Sequence, residues 1–376
     1  MTSIDAIVIG GGVVGGALAF GLARQGLKVK VLDEGDIAYR ASRGNAGVVW
    51  VQGKGYGCPE YQLWTRRSAE DWPNLAAELL DGTNLDVRLE NRGGVVPYFS
   101  EEGRDKRQAL MEQLRIEAGN AGFEYDMLDR RELARLVPGI GPKVFGASYT
   151  AYDGQVNPLN LLRALHAAFL RLGGRYVSNA RVTKIEAAPH AFTVRAGVET
   201  VTAPKLILAA GLGTVALAPS LGLSVPLEPQ RGQVMITERV DQTLPLPVQG
   251  GIRQTHEGAF QLGGTAGNTG FDDRTTIQGL SQGASFAVDC LPYLAGVKVV
   301  RAWSALRIMS PDEFPIYEQS GEFPGAFVAT CHSGVTLAAA HTYRLAKSIA
   351  GGALPEELAR LSTRRFEKSA ANQGQP

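Results

Sequence analysis

A glycine motif near the start of the chain constrains the fold more than any other feature. Gly10, Gly12 and Gly15 have the spacing GxGxxG and follow an apolar segment, 4–9, that predicts a β-strand. An alanine- and leucine-rich segment after the motif predicts a helix, and 28–32 predicts a second strand. The chain therefore begins with a βαβ unit, which is the context that this glycine spacing requires to bind a dinucleotide.

The residues of the motif have separate physical roles. Gly10 permits a tight turn, Gly12 lets the backbone approach a pyrophosphate, and Gly15 lets helix and strand pack closely. The pyrophosphate would lie at the helix N-terminus, where unpaired N–H groups and the helix dipole favour negative charge. Asp33 follows at the end of the second strand, where its carboxylate can accept hydrogen bonds from a ribose hydroxyl, and Glu34 is the neighbouring alternative. We therefore expect a dinucleotide site rather than a purely structural glycine turn.

Composition excludes several other classes of protein. The 376 residues are 44% apolar and 20% charged, which is enough to bury a large core and predicts two intertwined domains. A formal net charge of +1 without a long basic run indicates no nucleic-acid or membrane-surface partner. The apolar segment 6–23 is too rich in glycine to predict an integral membrane segment.

Cysteine usage argues against metal and disulfide sites. Cys58, Cys290 and Cys331 lie far apart and form no CxxC pair, so we expect no iron-sulfur cluster, zinc site or disulfide framework. A reducing, cytoplasmic compartment fits this pattern best.

The rest of the chain reads as mixed α/β. Periodicity and turn residues predict helices at 60–81, 105–118, 157–172 and 277–290, strands at 91–99 and 192–202, and short strands across 225–308. Pro158 is expected at the first position of its helix, where a missing N–H has no cost. The segment 326–350 returns to strand, glycine turn and helix, and 370–376 is expected to fray.

FAD and NAD share the glycine motif, and three segments favour FAD. The small, polar segment 40–47 (RASRGNAG) suits backbone running along a ribityl chain and flavin ring, the alternative being a plain surface loop. The segment 206–214 (LILAAGLGT) predicts a buried strand ending in small residues, which permits close approach of a cofactor. Ser333 and Gly334 precede a helix expected to start near Val335 or Thr336, and its N-terminus would stabilise negative charge on a reduced flavin.

These segments together resemble the glycine oxidase and D-amino-acid oxidase group of FAD enzymes. The resemblance covers essentially the whole chain and rests on IVIGGGVVGGALAFGLARQG, ASRGNAG, YDGQVNPLNLLRAL, LILAAGLGT, RGQVMITER, WSALRIMSPDEFPI and HSGVT. Within the group, GNAGVVWVQGKG, YQLWTRRS, PQRGQVMITERV and 263–314 look most like the β subunits of opine oxidases of the octopine or nopaline type. Subunits of D-hydroxyproline dehydrogenase and of hydrogen cyanide synthase are similar to a lesser degree.

The resemblance implies a fold and a division into domains. The fold is a Rossmann-like FAD-binding domain of the glutathione-reductase type with an interleaved antiparallel-sheet substrate domain. The FAD-binding domain would comprise 1–90, 145–220 and 320–376, and the substrate domain would comprise 91–144 and 221–319.

The resemblance also carries the family's flavin contacts onto this sequence. They fall on Gly10, Gly12, Gly15, Asp33, Ser42, Arg43, Asn45, Ala46, Gly47, Val182, Ala210, Gly211, Gly334, Val335 and Thr336. Val182 is placed there by backbone contact to the adenine. The arginine that binds the substrate carboxylate falls on Arg307, where the usual Arg-Pro is Arg307-Ile308.

Flavin oxidation of an amine depends mainly on positioning, because the nitrogen lone pair drives the hydride from carbon to flavin N5. The planar guanidinium of Arg307 suits a carboxylate, with a surface ion pair as the alternative role, and Arg253 is the second candidate. His332 and His256 are candidates to accept a proton from the amine, although isolated histidines are often only satisfied polar side chains. Lys54 is expected to border a flavin or substrate channel, the alternative being an ordinary exposed lysine.

Three functions remain open on the sequence. The first is the catalytic FAD subunit of an opine or imino-acid dehydrogenase, with partner subunits that carry further redox centres. The resemblance adds that members of this set can hold an FMN at a subunit interface, and a link to the inner membrane would then run through an electron-transfer partner. The second is a stand-alone oxidase or dehydrogenase of glycine, a D-amino acid or D-hydroxyproline, and the third is a non-catalytic FAD electron-relay subunit.

Overall fold

A computed structural model describes residues 3–35, 41–121, 124–249 and 251–371 of the chain. Arg40 of the predicted flavin-side loop and 372–376 of the expected frayed end lie outside these ranges.

The strands alternate with helices over most of the chain. In chain order they are β1 (Ala6–Ile9), β2 (Val29–Leu32), β3 (Val48–Val49), β4 (Gly94–Tyr98), β5 (Asp126–Asp129), β6 (Gly146–Thr150), β7 (Gly154–Gln155), β8 (Arg175–Val177), β9 (Val182–Ala188), β10 (Ala191–Ala196), β11 (Glu199–Ala203), β12 (Lys205–Leu208), β13 (Glu228–Arg239), β14 (Ile252–Gln254), β15 (Ala259–Leu262), β16 (Val299–Met309), β17 (Ile316–Gln319) and β18 (Ala326–Thr330).

The helices confirm the predicted segments with small shifts at their ends. They are α1 (Val13–Arg24), α2 (Ala41–Gly44), α3 (Pro59–Thr83), α4 (Glu101–Ala118), α5 (Arg130–Leu136), α6 (Pro158–Arg171), α7 (Thr214–Leu217), α8 (Ile277–Cys290), α9 (Ala338–Ala340), α10 (Ala346–Gly351) and α11 (Arg364–Ala371). Short 3-10 turns lie at Gly119–Ala121, Gly211–Gly213, Ala218–Leu221, Pro292–Gly296 and Glu356–Leu361, and a π-helical turn spans His341–Leu345. Pro158 occupies the first turn of α6, and the Asn157 side chain caps that helix by accepting from Leu159 N and Asn160 N.

The first sheet is the predicted Rossmann-like layer. Within the described residues it has six strands in the order β17-β18-β12-β1-β2-β8, all parallel except β17, which runs antiparallel to β18. Successive residues of β1 point to opposite faces, as a strand requires. Ala6 and Val8 join a core with helices α1, α3 and α6, while Ile7 and Ile9 join a second core with β9, β10 and β11. The carboxyl ends of β1, β2, β12 and β18 therefore meet along one edge, which is where ligands bind in open parallel sheets.

A second layer of antiparallel strands lies beside this edge. Its four-stranded sheet has the order β14-β15-β13-β16, and an isolated bridge between Val95 and Val248 connects it to the β4-β6-β5 sheet. β13 and β16 pair along most of their length, with Gln230 opposite Arg307. The division into two domains at the expected boundaries stays a prediction.

Two sequence predictions need correction. The segment 192–202 is not one strand: it contains parts of β10 and β11, which form a hairpin around Gly197 and Val198. Gly197 has a φ of 60°, so the alternating pattern continues across a tight turn that reverses the chain.

The helix predicted to start near Val335 or Thr336 begins later, because Ser68 interrupts its first turn. The Ser68 hydroxyl donates to the Thr336 carbonyl at 2.7 Å and accepts from Ala340 N at 3.1 Å, so these two groups do not bond to each other. Trp72 Nε1 donates to the same carbonyl at 3.1 Å. Residues 334–337 form a turn, and α9 starts at Ala338.

No helix in the described ranges has a stretch both long and apolar enough to span a bilayer.

Candidate cofactor and substrate site

The glycine loop between β1 and α1 leaves no room for side chains. Gly10 has a φ of 102°, and a Cβ atom there would overlap the Ala209 carbonyl at the end of β12. A Cβ atom on Gly15 would overlap the Gly10 carbonyl oxygen. The loop can therefore adopt this conformation only with glycine at these two positions.

Polar groups from outside the motif hold the loop. Asp33 is buried, and its carboxylate accepts from Gly11 N at 2.7 Å and from Gly35 N at 3.0 Å. The Ser42 hydroxyl accepts from Val13 N at 2.9 Å and so caps α1, whose first turn contains no acidic residue. Because acidic side chains are absent there, the helix dipole can act on an anionic ligand.

A cavity of about 520 Å³ extends from this loop along the carboxyl edge of the parallel sheet, a size within the usual range for small-molecule sites. It brings together many of the residues that the sequence predicted to bind the cofactor. Those that line it are Gly10, Gly12, Asp33, Glu34, Ser42, Asn45, Val182, Ala210, Gly211, His332, Gly334 and Val335. Phe271, Leu306, Ile308 and Cys331 also line it and were not predicted, because apolar residues carry no sequence signal for a cofactor wall.

The remaining predicted residues do not line this cavity. They are Gly15, Arg43, Ala46, Gly47, Ser333, Thr336, Lys54, Arg253, His256 and Arg307. Ser333 is buried and shares a 2.9 Å hydrogen bond with Tyr61 OH. The Thr336 hydroxyl accepts from Trp50 N at 3.0 Å. These two side chains support the wall, although their neighbours Gly334 and Val335 reach the cavity.

The segment 41–47 is held between the two layers. The Asn45 side chain accepts from Gly47 N at 2.7 Å and donates to the Ser42 carbonyl at 2.9 Å, which closes the loop on itself. From the antiparallel layer, Trp303 Nε1 donates to the Gly44 carbonyl at 3.1 Å, and Arg253 Nε donates to the Ala46 carbonyl. The loop is therefore an interlayer contact rather than a plain surface loop.

Arg307 extends from β16 across a glycine of the neighbouring strand. Its Nη1 donates to Gln230 Oε1 at 3.0 Å, and a Cβ atom on Gly232 would lie only 3.1 Å from Nη2. The planar guanidinium is thus supported on one side by backbone and by one amide. β16 continues regularly to Met309, so Ile308 in place of proline leaves the strand intact.

The positive charges of Lys54 and Arg307 act on His332, although the three residues come from distant parts of the chain. Lys54 lies in the loop before α3, Arg307 on β16, and His332 in the turn after β18. His332 faces the cavity, and the surrounding protein lowers its pKa to about 3, with further contributions from the positive charges of Lys54 and Arg307. Burial likewise lowers the pKa values of Lys54 and Arg307. His332 is therefore a neutral imidazole beside two cations.

His256 and Arg253 lie elsewhere. His256 is exposed in the turn between β14 and β15, where its Nδ1 lies 3.2 Å from Glu257 Oε2. Arg253 is buried, donates to Ala46 and Gln261, and its pKa is lowered to about 10 by burial. Their predicted contacts with substrate stay predictions.

A buried polar network beside Lys54 was not predicted. The Asp153 carboxylate accepts from Val51 N at 2.6 Å and from Gln52 Nε2 at 2.6 Å, while Gln52 Oε1 accepts from Arg107 Nη2 at 2.7 Å and from Ser148 Oγ at 2.7 Å. Burial raises the pKa of Asp153 to about 7. The sequence around Asp153 predicts only a turn, and no signal links it to residue 107.

These features fit FAD. The glycine loop, the N-terminus of α1, which has no acidic residue in its first turn, and the buried Asp33 carboxylate line the same cavity as His332, Gly334 and Val335. A Cβ atom on Gly12 would approach Ser42 Oγ to 2.8 Å, so the space above the loop exists because the side chain is absent. The individual contacts to FAD stay predictions.

Comparison with known proteins agrees with this geometry. Residues 5–347 match the family model DAO, described as FAD dependent oxidoreductase. The chain is similar to the opine oxidase B subunit of Agrobacterium tumefaciens (strain Ach5), with 41% identity over 99% of this chain and 100% of the relative. The opine oxidase B subunit of Rhizobium meliloti is 40% identical over 99% of this chain and 100% of the relative.

A solved structure of glycine oxidase from Geobacillus kaustophilus shares the fold. It superposes with a TM-score of 0.86 at 24% identity and covers 96% of this chain and 98% of that one. The family model spans most of the chain, and the two full-length relatives share two fifths or more of its residues. The chain therefore belongs to the DAO family of FAD-dependent oxidoreductases.

Proposed function

We propose that this chain oxidises the C–N bond of a secondary amine that carries a carboxylate, as the catalytic subunit of an opine dehydrogenase or oxidase. The observation that carries the proposal is one cavity lined both by the glycine loop and by His332, a neutral imidazole on which the positive charges of Arg307 and Lys54 act. Full-length similarity to two opine oxidase B subunits supports the choice of amine.

Arg307 would bind and orient the substrate carboxylate. Among the residues that the structure describes, only Gln230 accepts a hydrogen bond from the Arg307 guanidinium, through Nη1, so other N–H groups remain for two parallel hydrogen bonds to a carboxylate. Such a pair fixes which C–H bond of the substrate points into the cavity. Because Gly232 has no side chain, the guanidinium can lie flat against the backbone of β13.

The two cations and the neutral histidine would favour the reactive form of the amine. A third positive charge beside Lys54 and Arg307 is disfavoured, so the bound nitrogen keeps its lone pair. His332 would accept a hydrogen bond from the amine N–H, and its lowered pKa makes it a poor site for a permanent proton. FAD, when bound, supplies the two-electron acceptor, N5, that takes the hydride released as the carbon–nitrogen double bond forms.

The names of the two opine oxidase relatives support a proposal about partner subunits. Since both are B subunits, we propose that this chain works with partner subunits that carry further redox centres and accept the electrons. An FMN at a subunit interface and a cytoplasmic location also remain predictions.

The test is reduction of the purified, FAD-loaded chain without oxygen. Octopine, nopaline, hydroxy-D-proline and glycine are added in turn, and we expect the opines to bleach the flavin absorbance fastest. Peroxide yield after air is admitted then reports whether oxygen is an acceptor. If no amine bleaches a fully loaded flavin, the chain is not the catalytic subunit.

A further inference from the structure

A histidine of helix α6 contacts the backbone of the glycine loop. His166 is half-buried on this helix, and its Nε2 lies 2.8 Å from the Gly11 carbonyl oxygen. Because a carbonyl oxygen only accepts hydrogen bonds, the imidazole carries a proton on Nε2 and donates it to this bond. Neither His166 nor Gly11 lines the cavity, so the contact lies outside the cofactor wall.

The packing around His166 fixes the position of its ring. Tyr176 of β8 lies against it, with the ring centroids 4.7 Å apart and the ring planes at 42°. A Cβ atom on Gly16 would lie 3.4 Å from His166 Cδ2, so α1 is also within contact distance. A Cβ atom on Gly11 would lie only 2.6 Å from Tyr176 OH, so the loop can approach these two rings because Gly11 has no side chain.

The hydrogen bond to Gly11 determines where the next amide points. The described ranges contain no cis peptide bond, and in a planar trans peptide the C=O and N–H groups point in opposite directions. Since the Gly11 carbonyl is directed to His166, the Gly12 N–H is directed away from α6. Gly12 lines the cavity, and within the described ranges its N–H donates to no protein acceptor. This amide is therefore available to a ligand in the cavity.

Asp33 fixes the preceding peptide of the loop. Gly11 N donates to Asp33 Oδ2 at 2.7 Å, so both backbone polar groups of Gly11 are bonded to side chains from other parts of the chain. Successive glycines have wide conformational freedom when nothing restrains them. The two side chains therefore select one backbone conformation for the loop, and His166 selects the orientation of the peptide that precedes Gly12.

We propose that His166 is a positioning residue for the pyrophosphate of FAD. By holding the Gly11 carbonyl, it orients the Gly12 N–H toward the phosphate oxygens without contacting the cofactor itself. A chain that lacks a donor at this position would keep the glycine motif but would hold FAD less tightly. The inference concerns the cofactor and does not depend on which amine the chain oxidises.

Three variants and a control separate the hydrogen bond from the packing. The amide nitrogen of His166→Gln lies as far along the side chain as histidine Nε2 and can donate to Gly11, whereas the shorter side chain of His166→Asn cannot reach. His166→Leu fills part of the same space but has no donor. Arg163→Leu, at an exposed position of the same helix, is the control.

Measurements on the FAD-loaded proteins report the two ends of the cofactor separately. Phosphorus NMR reports the pyrophosphate, and the visible absorption spectrum reports the isoalloxazine ring. We expect His166→Leu and His166→Asn to shift the phosphorus resonances and to raise the Kd for FAD about tenfold, as loss of one hydrogen bond does. The visible spectrum should stay unchanged. His166→Gln should recover the wild-type resonances and most of the affinity, and Arg163→Leu should match wild type.

The pattern across variants decides the role of His166. Unchanged phosphorus resonances in His166→Leu and His166→Asn would overturn the proposal, as would equal effects of His166→Gln and His166→Asn, and either result would leave His166 a packing role. A visible spectrum that shifts together with the phosphorus resonances would also overturn it, because the disturbance would not be confined to the pyrophosphate. If His166→Leu does not fold, the comparison of His166→Gln with His166→Asn decides alone.

Wild type itself tests the premise. If its phosphorus resonances match those of free FAD, the pyrophosphate does not lie at the glycine loop, and the inference fails together with that predicted contact. No amine is used in these measurements, so failure of the proposed amine oxidation would leave their outcome unaffected.

Discussion

The two ends of the site are built in opposite ways. At the glycine loop, glycine backbone and small residues line the cavity, and hydrogen bonds within the first βαβ unit, such as that from Gly11 N to Asp33 at 2.7 Å, hold the loop. At the substrate end, Lys54, Arg307 and His332 come from three separate segments, and burial rather than hydrogen bonding dominates their environment.

This difference has a physical origin. A pyrophosphate is recognised by backbone N–H groups, which every residue except proline has. Binding at this end therefore depends on the shape of the loop and on the absence of side chains that would fill it. A particular amine is recognised by a few charged side chains whose positions depend on the packing of both layers. Substitutions at the glycine loop should therefore act by steric overlap, and substitutions at the substrate end should act by removing a charge.

The largest expected effect is at Gly15. In Gly15→Ala the added methyl would overlap the Gly10 carbonyl, which should destabilise the fold by about 3 kcal/mol or more and abolish retention of flavin. Gly351→Ala is the control, since that position is helical and a Cβ there meets nothing within 4 Å. The flavin-to-protein absorbance ratio and Tm measure both. A yellow, stable Gly15→Ala protein would show that close packing at the loop is not what holds the cofactor.

The second-largest effect is expected at Arg307, at the substrate end, where loss of charge should matter more than a change in side-chain volume. Arg307→Met keeps much of the side-chain volume but removes the guanidinium, and kcat/KM for the best amine should fall by roughly 10³-fold. Flavin content should stay unchanged. Arg239→Met, an exposed residue at the end of the paired strand β13, is the control. A loss smaller than about tenfold would remove Arg307 from carboxylate binding.

The same contrast explains what the sequence could predict. The βαβ unit, its acid and helix α6 were readable because strand and helix periodicity and the cap at Asn157 are local. The contacts of Ser68 that delay the start of α9, and the link that Gln52 makes between Asp153 and Arg107, were not readable, because each depends on a contact between segments far apart in the chain. Arg307 was named through family resemblance, His332 and Lys54 from the residues beside them in the sequence, and only the structure shows that the charges of Arg307 and Lys54 act on His332.

A smaller effect is expected in the buried network behind Lys54. Burial raises the pKa of Asp153 from 3.8 to about 7, so the folded state holds this proton more tightly than the unfolded chain. Stability should therefore fall as pH rises between about 4 and 7, with a slope of up to about 1.4 kcal/mol per pH unit from this group.

Asp153→Asn isolates that contribution. Asparagine keeps one oxygen that can accept from Val51 N, but its Nδ2 cannot accept from Gln52 Nε2, so the variant should be less stable by about 1–3 kcal/mol at pH 5, and the gap to wild type should narrow toward pH 7. Asp126→Asn, an exposed carboxyl on β5, serves as control, and Tm across this range is the measurement. A gap that stays constant between pH 5 and pH 7 would mean that Asp153 is ionised across this range.

The smallest effect is expected at His256. Comparing it with His332 tests which of the two histidines interacts with the substrate amine. His256 is exposed on the β14–β15 turn beside Glu257, whereas His332 lines the cavity within the influence of the Lys54 and Arg307 charges. His256→Asn should change kcat/KM by less than about twofold, as surface substitutions usually do. His332→Asn should lower kcat/KM by about tenfold or more, because a hydrogen-bond acceptor at the amine is lost.

The pH profile of the wild-type enzyme tests the same assignment. Since the pKa of His332 is lowered to about 3, kcat/KM should show no ionisation at the ordinary histidine pKa. A limb near pH 6.5 that disappears in His256→Asn would show that His256, and not His332, interacts with the amine.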